Sequence, residues 1–151
     1  MRCPLVALTL LASSLWALPA SACPTELANL APALLADLPS YLNRTYVRIG
    51  IRDRFVVGVT RPEFEPLPVR TELPNQPQPQ QLFFSVLEKR RGSQPTTSRA
   101  YWLLLTPTKH QKWELALAFA RTGNAPPTDV SDGAIALAVN TWLRDKCFNP
   151  D

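Results

Sequence analysis

From Thr25 onward the apolar residues Leu27, Leu30, Ala31, Leu34, Leu35 and Leu38 fall at offsets of 0, 3, 4, 7, 8 and 11, which places them on one face of a helix. Pro32 interrupts this stripe, and because its ring clashes with the preceding turn the helix should kink there or break into two short pieces. Pro39 then begins a new segment. The stretch from Ser40 to Arg54 fits two periods. As a helix it stacks Arg44, Arg48 and Arg52 at four-residue spacing. As a strand from Tyr46 it alternates Val47, Ile49 and Ile51 with Arg48, Gly50 and Arg52. The balance goes to helix up to about Ile49, followed by a strand over 54–60.

Three further strands are expected at 82–90, 99–106 and 112–121. The last has the clearest alternation: Trp113, Leu115, Leu117 and Phe119 share one face, with Lys112, Glu114, Ala116, Ala118 and Ala120 on the other. Turn-forming residues at 91–95 and 106–111 join these strands by connections short enough for antiparallel neighbours. Gly123, Asn124, Pro126 and Pro127 stop the last strand, after which Ser131 or Asp129 can cap a final helix. That helix has Ile135, Ala138, Val139, Trp142 and Leu143 at offsets 0, 3, 4, 7 and 8, with Arg144 and Lys146 near its negative end. The elements predict an α+β fold: an antiparallel meander sheet of three to four strands, with N-terminal and C-terminal helices packed on it.

The two ends and one internal stretch lie outside these periodicities. Arg2 is followed by a 14-residue apolar run from Leu5 to Leu18, then by Pro19 and the small residues Ala20-Ser21-Ala22. This is the pattern of a secretory signal peptide over residues 1–22, cleaved before Cys23, and it is short of the roughly 20 residues a membrane span requires. Residues 23–151 then form a single domain with no transmembrane segment. Proline makes up 16 of the 151 residues, against a usual share near 5%, and Pro62, Pro66, Pro68, Pro74, Pro77 and Pro79 concentrate between 61 and 81. That stretch reads as a Pro-rich loop, extended and polyproline-like, with Phe64 and Leu67 able to pin its first half to the body.

Cleavage leaves Cys23 and Cys147, for which two readings compete. In an oxidising compartment they suggest one disulfide closing nearly the whole chain. Alternatively Cys23 is acylated, since bacterial lipoproteins carry their lipid on a cysteine directly after the cleavage site. Ala20 stands where such signals usually have leucine, and acylation would leave Cys147 unpaired.

The chemical inventory is thin. Lys and Arg number 16 against 12 Asp and Glu, an excess too mild to point to nucleic acid. His110 is the only histidine and stands beside Lys109 and Lys112, with no cysteine or acid at metal-ligand spacing, so no metal or cofactor is expected. Glu63 and Glu65 could face one way in an extended chain, though adjacent glutamates more often pair with arginines than form a hydrolytic site. No catalytic residue is assigned. Trp102, Trp113 and Trp142 read as core. Asn43-Arg44-Thr45 matches a glycosylation sequon, taken as a chance occurrence. The feature that remains is a cluster of Arg44, Arg48, Arg52 and Arg54, with Lys89, Arg90 and Arg91 near it. Guanidinium forks suit carboxylate or phosphate, which makes the four arginines the candidate anion-binding residues.

Asp37-Leu38-Pro39-Ser40-Tyr41, the run from Arg61 to Pro68, the run from Trp113 to Arg121, and Trp142-Leu143-Arg144-Asp145 with its nearby cysteine together resemble a family of uncharacterised exported proteins of cyanobacteria. The resemblance implies lineage and export and no activity. The expectation is therefore a non-enzymatic binding or interaction module of the cell envelope, its partner another protein or an anionic envelope component. The periplasm is the compartment expected, with the thylakoid lumen or a lipid-anchored surface as alternatives. A small-ligand carrier with an apolar pocket between sheet and helices is the second reading, and an exported hydrolase the third.

Overall fold

The stripe that begins at Leu27 continues through Leu42 and Tyr46 as one 22-residue helix, α1 (Leu27–Arg48), in a computed structural model that describes residues 23–64, 78–92, 95–110 and 112–147. The expected break at Pro32 and the fresh start at Pro39 do not occur, since both prolines lie inside α1. For Pro32 the reason is where it sits. Pro32 is exposed, and so is Ala28, whose carbonyl loses its donor, so water can satisfy that carbonyl. A proline in a helix interior costs about 3 kcal/mol. Each fully buried leucine returns about 1.5–3 kcal/mol, and Leu30, Leu34, Leu38 and Leu42 are all fully buried along the stripe.

At Gly50, with φ +83°, α1 ends in a Schellman turn: Ile51 N–H donates to the Tyr46 carbonyl at 2.8 Å and Gly50 N–H to the Val47 carbonyl at 3.3 Å. The chain reverses into β1 (Arg54–Val59), so the helix-then-strand reading of 40–60 holds. β2 (Gln80–Arg90), β3 (Thr97–Pro107), β4 (Trp113–Thr122) and the two-residue β5 (Thr128–Asp129) complete an antiparallel sheet in the order β1-β2-β3-β4-β5. The meander is one strand longer than expected because the run after Gly123 pairs Asp129 with Phe119 and Thr128 with Ala120. Helix α2 (Ala134–Cys147) closes the chain. Both helices cover one sheet face, α1 toward β1 and α2 toward β4, with each other as neighbours. This is the α+β architecture the periodicities predict.

The β4 alternation is broken in the middle. Leu104 pairs with Leu117 but Leu105 pairs with Leu115, leaving Ala116 as a bulge residue without a partner. One extra residue switches the faces: Trp113 and Leu115 point to the helices, whereas Leu117 and Phe119 point away and Ala118 and Ala120 are buried in their place. Phe119 tilts against Trp102 at 5.2 Å between ring centroids, and Trp102 stacks on Phe83 at 5.6 Å. Trp102 is thus an outer-face residue and not the core residue expected, while Trp113 and Trp142 are buried as expected.

Ser131 and Asp129 do not cap α2. The Ser131 hydroxyl accepts from Ala118 N–H at 3.0 Å and donates to Asp129 Oδ1 at 2.6 Å, fastening β5 to β4. Cys23 and Cys147 meet as the disulfide reading requires, their sulfurs 2.05 Å apart and their Cα atoms 4.6 Å apart. The signal-peptide reading of 1–22 lies outside the described residues, as do Glu65, Leu67 and the Pro-rich stretch 65–77. Of that loop's flanks, Glu63 forms an antiparallel bridge to Phe83, and Gln80 and Gln81 already belong to β2.

Candidate functional site

The β2–β3 hairpin turns at the same end of the molecule where α1 gives way to β1. The register sets Arg54 opposite Arg90, and Arg91 N–H donates to the Asp53 carbonyl at 2.8 Å. Arg52, Arg54 and Arg91 consequently line one open groove of about 760 Å³, with Asn43 and Val47 of α1 as its other wall and Ile51 and Phe55 beside them. Arg44 and Arg48 border an adjoining shallow surface of about 430 Å³ that shares Asn43 and Val47. The four arginines singled out in the sequence thus come to one end, joined by Arg91.

They do not form one helical stripe. α1 stops at Arg48, and Arg52 reaches the groove from the Schellman turn. Arg44 holds its guanidinium carbon 4.3 Å from the centre of the Tyr41 ring and donates to the Ser40 carbonyl at 3.4 Å. Arg54 turns partly inward: Nη1 is 3.8 Å from Glu88 Oε2 and Nε 3.6 Å from Asp53 Oδ1. Neither approach is a hydrogen bond, and Nε is buried with no hydrogen-bond partner. Arg90 takes the other Asp53 oxygen at 3.8 Å. Among the described residues Arg48, Arg52 and Arg91 belong to no ion pair.

Beneath the groove is a buried polar group that periodicity does not reveal. Glu88 is buried on β2 and accepts a short hydrogen bond from the Tyr46 hydroxyl. Burial first, and then the Glu88 acceptor, push the Tyr46 hydroxyl far above the ordinary phenol range. Tyr101 is raised as well, chiefly by burial. Burial opposes the Arg99 charge, yet Tyr101 and Glu88 beside it outweigh that and raise its pKa. Glu88 thereby links Tyr46 of α1 to Arg54, the β1 residue that lines the groove.

Asn43, read in the sequence only as part of a sequon, has a structural role. Its Nδ2 donates to the Val56 carbonyl at 3.1 Å and its Oδ1 accepts from Val56 N–H at 2.7 Å, covering the open edge of β1.

The other candidates do not assemble into a reactive site among the described residues. His110 is exposed in the β3–β4 turn. Glu63 lines a shallow groove of about 290 Å³ above Phe83 and Ala100, and its expected companion Glu65 is outside the described residues. No group of His, Cys, Asp and Glu that could hold a metal ion occurs among the described residues. An apolar groove of about 240 Å³ lies on the outer sheet face, over Phe83, Trp102 and Phe119. The space between the layers holds the buried side chains of both helices and β2–β4.

Two of the stretches that carry the resemblance meet across the helix pair. Trp142 Nε1 donates to Asp37 Oδ2 at 2.9 Å, Lys146 Nζ is 3.6 Å from the same oxygen, and the Tyr41 hydroxyl donates to Asp145 Oδ2 at 3.2 Å. Those residues clasp α1 to α2 and stand apart from the groove. Compared with known protein families, curated proteins and solved structures, the chain matches none.

Proposed function

We propose that the protein is an exported, non-enzymatic binding module that engages an anionic component of the cell envelope, the periplasm being its compartment and exported cyanobacterial proteins its relatives. The observation that carries this reading is the convergence of Arg52, Arg54 and Arg91 on one open groove, with Arg44 and Arg48 on the adjoining surface. Guanidinium groups donate in pairs to carboxylate or phosphate oxygens, and Arg52 and Arg91 are exposed and belong to no ion pair among the described residues.

Retention on immobilised inorganic polyphosphate tests this. Exposed charge pairs contribute about 0.2–1 kcal/mol each and are screened by salt. Retention should fall as sodium chloride rises, and Arg52→Gln with Arg91→Gln should weaken it by roughly tenfold when two such contacts of about 0.7 kcal/mol add. Retention that is absent, or indifferent to both salt and the double substitution, would remove the proposal.

A further inference from the structure

We infer that this arginine-bearing end is a docking surface for an anionic lipid bilayer, an inference that rests on the anion-binding reading and names its partner. The reason is what stands between the arginines. Val47 is 59% exposed in the last turn of α1 and Ile49 46% exposed at its cap, flanked by Arg44, Arg48 and Arg52. Val57 is half exposed on the edge strand β1. Positions 47 and 49 lie off the α1 stripe and outside the buried core, so packing does not require aliphatic side chains there. A soluble anion needs only the cations.

Interleaved cations and aliphatic side chains match the two layers of a bilayer surface. Guanidinium groups meet the phosphates, and the aliphatic groups enter the boundary between headgroups and acyl chains. Charge complementarity favours this partner further. The acids at this end are already engaged, Asp53 by Arg54 and Arg90, and Glu88 in the buried contact with Tyr46. Arg48, Arg52 and Arg91 are left to face outward. The Schellman turn at Gly50 holds Ile49 and Arg52 on either side of the reversal, so both chemistries are presented together by fixed backbone. No helix among the described residues is long and apolar enough to cross a membrane, so the contact is peripheral.

The test uses the full chain, expressed with residues 1–22 in place and recovered with Cys23 and Cys147 oxidised. It is sedimented with vesicles of phosphatidylcholine alone and with vesicles that also contain phosphatidylglycerol. Binding is expected to the second kind only and should weaken as salt rises. Arg48→Gln and Arg52→Gln should each lower the partition about fivefold, in line with the attraction of one basic side chain to an anionic surface. Ile49→Ser with Val57→Ser should lower it about tenfold while leaving polyphosphate retention unchanged. All four side chains are exposed, so circular dichroism should show each variant folded. Failure to bind phosphatidylglycerol vesicles, or binding that the double serine variant leaves intact, would overturn the inference. If polyphosphate retention survives such a failure, the anion-binding reading stands and only the bilayer is wrong. If both are lost, both fall.

Discussion

Tyr46 shows how one side chain couples the helix layer to the sheet beside the groove. Its hydroxyl is the hydrogen-bond donor to buried Glu88, which also has Arg54 Nη1 3.8 Å away and the Arg99 charge nearby. Removing the donor leaves a buried carboxyl oxygen short of a partner, which costs about 1–3 kcal/mol. Tyr46→Phe should therefore lower the urea midpoint by that amount of stability, with the slope unchanged, whereas an unaltered midpoint would show that the contact contributes nothing net. The same hydroxyl sets an alkaline limit. Its pKa is raised in the folded chain above the ordinary phenol value of 10.0, so the folded state binds this proton more tightly than the unfolded one. The resulting stability is fully present below about pH 10 and is lost as pH rises from there toward the folded pKa. A titration followed at the phenolate absorbance should show Tyr46 ionising only together with unfolding, and Tyr46→Phe should unfold at a less steeply pH-dependent rate above pH 10.

At the scale of elements, the continuous α1 is the place to measure how packing overrides local preference. Pro32→Ala restores a backbone donor and removes a ring from the helix interior, worth up to about 3 kcal/mol. Against this, the unfolded chain loses the stiffness of proline, worth about 0.4–1 kcal/mol. A net gain of about 2 kcal/mol is expected in urea unfolding, and a loss would mean that Pro32 packs usefully where it stands. The sequence made the apolar stripes of both helices and the positions of β1 to β4 legible, because spacings of 3.6 and 2 residues are local signals, but it did not show α1 running unbroken through Pro32 and Pro39. It hid what depends on the partner strand. The bulge at Ala116 cannot be read from β4 alone, since it is defined by Leu104 and Leu105 across the ladder. For the same reason Trp102 looks like core in the one-dimensional pattern and sits on the outer face in the fold. The candidate site divides likewise. Four clustered arginines are visible as composition, but the inward turn of Arg54 follows from Glu88, 34 positions away in number and across the β1–β2 ladder.

At the scale of the whole molecule, the disulfide and the cationic end lie at opposite ends of α1. Cys23 precedes its first residue and Gly50 follows its last, and 22 helical residues span about 33 Å. Stability and binding should therefore separate. Closing a loop of this length contributes about 4–5 kcal/mol in the chain-entropy account, a large part of the roughly 5–15 kcal/mol typical of a domain. Other contacts also hold the ends: Trp113 Nε1 donates to the Pro24 carbonyl at 2.7 Å, and Asp37 and Tyr41 clasp Trp142, Lys146 and Asp145. Reduction should accordingly lower the urea midpoint steeply without abolishing the fold in dilute buffer, and Cys147→Ser should reproduce the reduced chain. Intact mass should rise by two hydrogens on reduction, whereas an acyl adduct on Cys23 would contradict the pairing. Below the new midpoint the reduced chain should still be retained on polyphosphate as the oxidised chain is, because the groove residues are set by the Schellman turn and the β1–β2 register. If retention fell in step with reduction while the chain remained folded, the groove would depend on the far end of α1, and the local account of its geometry would be wrong.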